Sequence, residues 1–421
     1  MLKQTFDYKS LKRCLRKKDF KIHHLRYKNE EELQEELMAM SEEANDDEYS
    51  ITSIRKDYIK RKDAYVLEDL TDNLVIRRVD AILRRIYKVK QANRSRIIHQ
   101  IQSLLSNTNA FNIIRTDIKS FYESIPAHDI LNKIKDDGIV SSKVCSILDS
   151  VFNNYKTKDQ SLMRGISVSS TLSEIYMREF DKTVRTINGV FYYARYVDDI
   201  IVFSVSNPKN LLHKMKAALR NGLELSHNKT TIIYVPCKKY MDIFNDKFTC
   251  DDSNACDFNT KKLDYLGYRL EFECHRKNTR KPKKVSIRIS PKKVKKIKTR
   301  ITRAFIDYSH THEYTLLKKR IDFLASNFRL STTTRKSYLM SGIYYNYPLL
   351  TKPLLDLADL NNYYRKCIFA NPYSFNPPMT LSTKNKNELK KISFEQGHRM
   401  KISNIFSAKE IDRITKCWRY E

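Results

Sequence analysis

The stretch Phe191-Tyr192-Tyr193-Ala194-Arg195-Tyr196-Val197-Asp198-Asp199-Ile200-Ile201-Val202-Phe203 constrains this chain more than any other. It is an apolar, aromatic and β-branched run, which favours buried strands, yet two adjacent carboxylates stand in its middle. Aspartate is among the residues least often fully buried without a partner. The arrangement that satisfies both demands is a hairpin whose Asp198-Asp199 pair sits at the turn, faces a cleft and is neutralised by a cation. Two hard oxygen donors side by side suit Mg2+, which proteins hold through one or two carboxylates plus substrate phosphates. The plainer alternative is a surface hairpin, because aspartate is also common in turns.

Charge narrows the choice of partner. Lysine and arginine number 79 against 49 acidic residues in 421, a formal net charge of +30. A field of that size is expected of a protein that binds a polyanion and is not needed by an enzyme of small metabolites. Seven glycines are too few for a turn-dense β protein or a glycine-built phosphate loop, so a mostly helical chain is expected. Apolar runs are short and interrupted by charge, no signal-peptide pattern opens the sequence, and neither a membrane span nor a membrane partner is expected. The eight cysteines include no Cys-x-x-Cys pair, which suits reduced thiols in a cytoplasm. Cys237, Cys250, Cys256, Cys274 and His275 cluster in sequence, but not at the spacings of a zinc module.

Residues 30–48 are densely acidic with Leu33, Leu37, Met38 and Met40 at helical spacing, an amphipathic helix followed by a solvated link. The pattern from Tyr58 to Leu105 also reads as helical and carries many cations, most of them expected on solvated faces. Lys88, Lys90, Arg94 and Arg96 form its densest cluster. A strand then runs from Phe111 to Ile118 with Asp117 near its end, and Phe121 and Tyr122 follow. A lone aspartate at a strand end can cap a helix. Together with Asp198 and Asp199, however, Asp117 forms a set of mutually repelling carboxylates that needs cations to stay ionised near neutral pH. Two metals sharing such a set perform phosphoryl transfer.

These residues carry a resemblance to the reverse transcriptases, in particular those of the bacterial, retroelement-related kind. Tyr196-Val197-Asp198-Asp199 matches the family's Tyr-x-Asp-Asp signature, and the strand ending at Asp117 with Phe121-Tyr122 matches its first palm motif. Arg164-Gly165-Ile166-Ser167 through Tyr176 resembles the template-contacting turn and helix. His227-Asn228-Lys229-Thr230-Thr231 resembles the Lys-Thr motif, and Leu263-Asp264-Tyr265-Leu266-Gly267-Tyr268 the primer-grip turn. The five motifs stand in the family's order over roughly residues 75 to 350. The resemblance implies an α+β right-hand polymerase, with helical fingers, a small antiparallel-sheet palm of RRM-like ferredoxin topology, and a helical thumb. It implies RNA-directed DNA polymerase activity with two Mg2+ ions, or Mn2+ in their place, held by Asp117, Asp198, Asp199 and the Ile118 carbonyl. Tyr122 takes the steric-gate position that excludes a ribose 2′-hydroxyl, with Phe121 as its core neighbour. Lys229 falls where the family has a lysine able to protonate departing pyrophosphate. Gly165 is expected beside the templated base, with Arg164, Ser167, Tyr196, Leu266 and Gly267 along template and primer. Lys88, Lys90, Arg94 and Arg96 are the candidates for gripping the triphosphate. The sequence departs from the family where Arg164, Ser170 and Glu174 replace the common Gln, Pro and Asn.

Beyond Tyr268 the chain is strongly basic. Residues 275–284 read as a loop, Val285–Ile289 as a strand, and Ser290-Pro291 as a helix start. Val294, Ile297, Ile301 and Phe305 form a narrow apolar stripe among lysines that include Lys293 and Lys296, a thumb helix suited to tracking a duplex backbone. Further helices are expected over 314–328 and 333–347. The expected divisions are an N-terminal helical extension (1–60), fingers (61–110 and 124–190), palm (111–123 and 191–289), thumb (290–371) and a basic C-terminal extension (372–421). Expected partners are an RNA template, a DNA or RNA:DNA duplex product and deoxynucleoside triphosphates, with a second copy or a second protein as further candidates. The absence of ribonuclease H, integrase, maturase and Val-Thr-Gly signatures points to a stand-alone enzyme of phage defence that copies a dedicated non-coding RNA. A retron or group II intron type enzyme is the alternative. A reading of another class is an idle RNA-binding chaperone with a polymerase shape.

Overall fold

The computed structural model describes residues 3–25, 27, 29–59, 62–107, 111–153, 160–220, 222–235, 260–273, 284–331 and 338–418. The cysteine and histidine cluster of 237–275 and the basic loop lie outside them, apart from Lys284. The chain divides into two units, 1–93 with 110–235 and 333–336, and 94–109 with 236–332 and 337–421.

The first unit is built on a four-stranded sheet of β3 (Phe111–Asp117), β4 (Val190–Tyr196), β5 (Asp199–Ser204) and β6 (Thr231–Val235). Its order is β4-β5-β3-β6 and every neighbouring pair is antiparallel. Two helical crossovers complete the pattern: Ala127–Asp136 through Arg178–Thr186 join β3 to β4, and Pro208–Ala218 joins β5 to β6. This is the expected ferredoxin-like βαββαβ topology. Burial explains the composition: Ile113, Ile114 and Ile200 to Phe203 are fully buried, as expected of central strands covered by helices.

Two expectations about this unit are corrected. The stretch after Tyr58 does not begin as a helix; β1 (Ile54–Ile59) and β2 (Lys62–Leu67) form an antiparallel hairpin. Its sequence lacks clean alternation, and the pairing is supported from elsewhere: the Tyr65 N–H donates to the Arg164 carbonyl at 2.7 Å. The helix expected there starts later, at Leu70, capped by the Asp69 side chain, and runs to Ile86. Nor are residues 1–60 an appendage, since Phe6, Leu11, Leu15 and Leu37 share one apolar core with Leu74, Val79, Leu172 and Val202. Arg77, one of the many cations of the stretch from Tyr58 to Leu105, is buried and forked onto Asp19 at 2.6 and 3.0 Å.

The second unit contains a three-stranded sheet, β7 (Thr260–Tyr265), β8 (Tyr268–Glu273) and β9 (Val285–Ile289). The expected helix follows over Pro291–Thr311, burying Ile301, Ala304, Phe305 and Tyr308. Contacts place the β7–β9 sheet and the helix Arg94–Leu105 in this unit, not with palm and fingers as expected; that helix packs on β9. The helix expected over 333–347 is corrected: β10 (Asn327–Ser331) pairs with β11 (Tyr338–Gly342), and only Ile343–Asn346 is helical. Buried Asn327 enforces the turn, accepting from the Tyr344 N–H at 2.9 Å and donating to the Gly397 and Ile402 carbonyls. The described part of 372–421 is integral to this unit. Leu389 and Phe394 are fully buried, Trp418 donates to the Arg300 carbonyl at 3.1 Å, and β12 (Ser403–Asn404) adds to β10.

Candidate active site

Strand register brings the three aspartates to one end of the first unit's sheet. Asp117, the last residue of β3, is the register partner of Asp199, the first residue of β5. Tyr196, ending β4, pairs with Asp199 across the hairpin, so Val197 and Asp198 form the two-residue turn. Such tight turns favour positive φ, and Val197 has φ +59°. The Ile118 N–H donates to the Asp198 carbonyl at 3.1 Å and ties the turn to the neighbouring strand.

The electrostatics are those of a site built for positive charge. Asp117 is 3% exposed, and its Oδ1 is buried without a hydrogen-bond partner. Its Oδ2 accepts from the Lys229 ammonium, which enters from the turn of helix His227–Lys229 before β6. That bond is the main reason the Lys229 ammonium is held above the ordinary lysine value. Burial first, then the Asp198 charge, pushes the Asp199 carboxyl from 3.8 up to about 6; Asp117 adds to this, while Arg115 and Lys229 oppose it. An orphaned buried carboxylate oxygen beside two further carboxylates fits a hard divalent cation. Among the described residues no three such groups are already gathered about one point, and the Lys229 ammonium holds one oxygen of Asp117. By the chemistry of its donors and the orphaned Asp117 Oδ1 the set still fits the metal, with Lys229 supplying positive charge where the cation would share the carboxylate.

Tyr122 opens a short turn five residues beyond Asp117, and its ring meets that of buried Phe121 edge-on at 5.3 Å. Burial raises the Tyr122 hydroxyl pKa; Glu174 and Asp198 add to it, while Ser173 and Arg164 oppose it. The gate candidate is thus within the field of Asp198. The Arg164 guanidinium lies 5.7 Å from the Tyr122 ring centre and pairs with Glu123 at 3.0 Å. Gly165 stands at φ +106°, and a Cβ there would lie 2.4 Å from the Tyr65 carbonyl oxygen. Its lack of a side chain is required by the β1–β2 hairpin, a reason invisible in sequence. Ser167 Oγ is buried without a partner.

Two features escaped the sequence reading. Arg195, within the apolar run, is 7% exposed and bonded to Glu174 and Asp181; a cation inside such a run was the signal. The β1–β2 hairpin carries Arg55, paired with Glu68, and Lys56, paired with Asp63.

The proposed triphosphate cluster is divided by the structure. Lys88 and Lys90 are exposed in the first unit, whereas Arg94 and Arg96 belong to the second. Arg94 is used there as a strut. It donates to the Leu266 and Asn346 carbonyls at 2.7 Å each, and its guanidinium carbon lies 4.5 Å from the Tyr268 ring centre and 5.4 Å from that of Tyr347. The turn it braces, Leu266-Gly267, has φ of +47° and +80°, which suits a two-residue hairpin of mirror-image type. Lys293 touches the space over Gly267, and its ammonium is held below the ordinary value by burial, then by Lys296 and Arg94.

Residues 67–270 match the family model described as reverse transcriptase (RNA-dependent DNA polymerase). This segment is similar to a reverse transcriptase domain. It has the palm-type fold of that family, mixing helices with antiparallel sheets. Among solved structures, the chain is similar to apo telomerase from Candida tropicalis truncated from its C-terminal domain: 15% identity, 48% of this chain and 43% of that one, TM-score 0.31. It is also similar to telomerase from Candida albicans in complex with a TWJ fragment of telomeric RNA: 12% identity, 82% of this chain and 53% of that one, TM-score 0.33. The chain spans about half the length of these two proteins. Comparison with curated proteins gives no match. Among the described residues no helix is long and apolar enough to cross a membrane.

Proposed function

We propose that the protein is an RNA-directed DNA polymerase that adds deoxynucleotides to a primer on an RNA template. The observation that carries this reading is the register pairing of Asp117 with Asp199 beside the Val197-Asp198 turn, with Asp117 Oδ1 buried and unpartnered. When bound by Asp117, Asp198, Asp199 and the Ile118 carbonyl, two Mg2+ or Mn2+ ions would supply Lewis-acid stabilisation of attacking and leaving oxygens. The chain's own groups do the rest. The primer 3′-hydroxyl gives its proton to water as its oxygen bonds to the α-phosphorus, while the bond to the bridging oxygen breaks and pyrophosphate leaves. Lys229 Nζ, kept protonated by the carboxylates around it, is placed to give that oxygen a proton. Tyr122, held between Phe121 and Arg164, excludes a 2′-hydroxyl. Arg164, Gly165 and Ser167 line the template side, and Tyr196 supports the primer end. In the second unit, Leu266 and Gly267 form the primer grip, and Lys293 and Lys296 on the basic helix meet the duplex backbone.

The finer reading is a bacterial enzyme of phage defence copying a dedicated non-coding RNA in a cytoplasm, alone or with a second copy or protein; the acidic N-terminal helix Glu30–Asn45, which resembles that of the stand-alone bacterial enzymes, supports it. The test uses purified full-length chain with Mg2+, labelled deoxynucleotides and a primed RNA. Incorporation is expected, and is expected to vanish in the Asp198→Asn, Asp199→Asn double variant. Incorporation surviving that change refutes the site, and equal use of ribonucleotides refutes the Tyr122 gate. Sequencing of co-purifying RNA and product tests the defence reading: products from one recurrent transcript support it, and products from arbitrary cellular RNA refute it.

A further inference from the structure

Arg195 sits on β4, three residues before Asp198, and all five of its N–H donors are engaged. Nε and Nη2 donate to the Asp181 carboxylate, each at 2.8 Å, and Nη1 and Nη2 to that of Glu174 at 3.0 and 2.8 Å. The fifth donor, on Nη1, goes to the Val197 carbonyl at 2.9 Å. The two acids lie on separate helices, Ser169–Tyr176 and Arg178–Thr186. Both are mostly buried, at 24% and 14% side-chain exposure, against 3% for Arg195. The Tyr193 hydroxyl also donates to Asp181, at 2.6 Å.

A buried guanidinium between two carboxylates is not an economical way to stabilise a core, because removing three charges from water offsets most of their attraction. What the arrangement does deliver is geometry. Val197 is β-branched, yet it stands in the left-handed region at φ +59°, a conformation such residues rarely adopt. A residue held there needs surroundings that over-determine it. The Val197 carbonyl is fixed by Arg195, and the Asp198 carbonyl by the Ile118 N–H. The peptide groups on both sides of the Asp198 α-carbon are therefore held, which sets where its carboxylate points.

We infer that Glu174, Arg195 and Asp181 are positioning residues for Asp198, a rigid frame that aims its carboxylate into the cluster it forms with Asp117 and Asp199. The inference rests on the polymerase reading. It also accounts for Glu174, one of the sequence's departures from its family, since a neutral amide there could accept only one of the two bonds from the Arg195 fork.

The test is single-nucleotide incorporation by the full chain on a primed RNA, comparing wild type with Arg195→Lys and Glu174→Gln. Thermal unfolding and amide exchange over 196–200 are followed alongside. Arg195→Lys keeps the charge and loses the fork, and is expected to lower kcat by roughly tenfold to a hundredfold, as loss of a supporting shell commonly does. KM for the deoxynucleotide should stay within about twofold, because the change lies outside the substrate contacts. Glu174→Gln, isosteric and partly exposed, should lower kcat in the same direction by a smaller factor, and decides the matter if Arg195→Lys does not fold. Faster exchange of the turn amides with lower kcat supports the frame. An unchanged kcat with a lower unfolding midpoint overturns it, as does unchanged exchange at the turn. Absence of incorporation by wild type would refute the polymerase reading itself, while turn exchange would still decide the frame.

Discussion

Replacing Lys229 with methionine separates the two partners that compete for Asp117. In the structure the Lys229 side chain is 61% exposed, whereas the Asp117 side chain it touches is 5% exposed. Removing the lysine leaves Asp117 buried with both oxygens unpaired, since Oδ1 already lacks a partner. A buried acceptor stripped of its donor costs about 1–3 kcal/mol. The solvent exposure of the lysine argues for the lower end, about 1 kcal/mol. For a unit of roughly 200 residues that is a fall of about 2–4 °C in its unfolding midpoint. The fall should be seen in EDTA and should shrink as Mg2+ is raised, because a bound cation satisfies the same oxygens. By linkage, the variant should bind Mg2+ more tightly by up to about tenfold, the equivalent of about 1.4 kcal/mol. Incorporation, by contrast, should drop by about 10²–10⁴ if the lysine acts as the general acid. The assay is thermal unfolding and calorimetric Mg2+ titration of wild type and variant, with incorporation measured beside them. Equal midpoints in EDTA, or weaker Mg2+ binding by the variant, would refute the picture of Lys229 holding the cation's place.

Asp199 gives a pH signature in metal-free protein. Its folded value, about 6, lies above the ordinary 3.8, so its contribution to stability is fully present below about 3.8 and is lost as pH rises to about 6. Asp199→Asn should flatten that part of the stability profile, and denaturant melts between about pH 3.5 and 7, values chosen about this window, would show it; an unchanged profile would place the titration elsewhere. Arg94→Ala should destabilise the second unit by about 2 kcal/mol, through two lost carbonyl partners and two ring contacts. The deoxynucleotide KM should be unaffected beyond what unfolding explains, and a large selective rise in KM would restore Arg94 as a triphosphate ligand.

The parts of the site legible in sequence share a cause. Asp117, Asp198 and Asp199 are charges at the ends of apolar strands, and strand pattern is local, so their convergence follows once the strands are recognised. Three of the sheet's four strands, β3, β4 and β5, were readable for the same reason, as apolar, β-branched and aromatic runs, whereas the sheet they form with β6 was implied only by the family resemblance. The β1–β2 hairpin was not readable. Its strands are rich in charge, and it is held by a backbone bond from Tyr65 to Arg164, on the order of a hundred residues away in sequence. The β10–β11 pair was missed likewise, since Asn327 draws its partners from Gly397, Ile402 and Tyr344.

Composition and short-range pattern determined the large positive charge, the palm strands β3 to β5, the three carboxylates and the basic helix at 291–311. Only the tertiary structure decided how the cations are used. Arg77 and Arg195 stand beside apolar residues and Arg94 between Asn93 and Ser95, and nothing in these local surroundings tells their roles apart. In the fold, Arg77 is buried against Asp19, Arg94 is a strut for the Leu266-Gly267 turn, and Arg195 is the frame behind Asp198. The physical reason is that a guanidinium's role is set by which acceptors meet its five fixed donors, and those acceptors arrive from distant parts of the chain. The Asp198-Asp199 turn itself shows both levels: its place was set by local pattern, and its strained, fixed geometry by partners that only folding supplies.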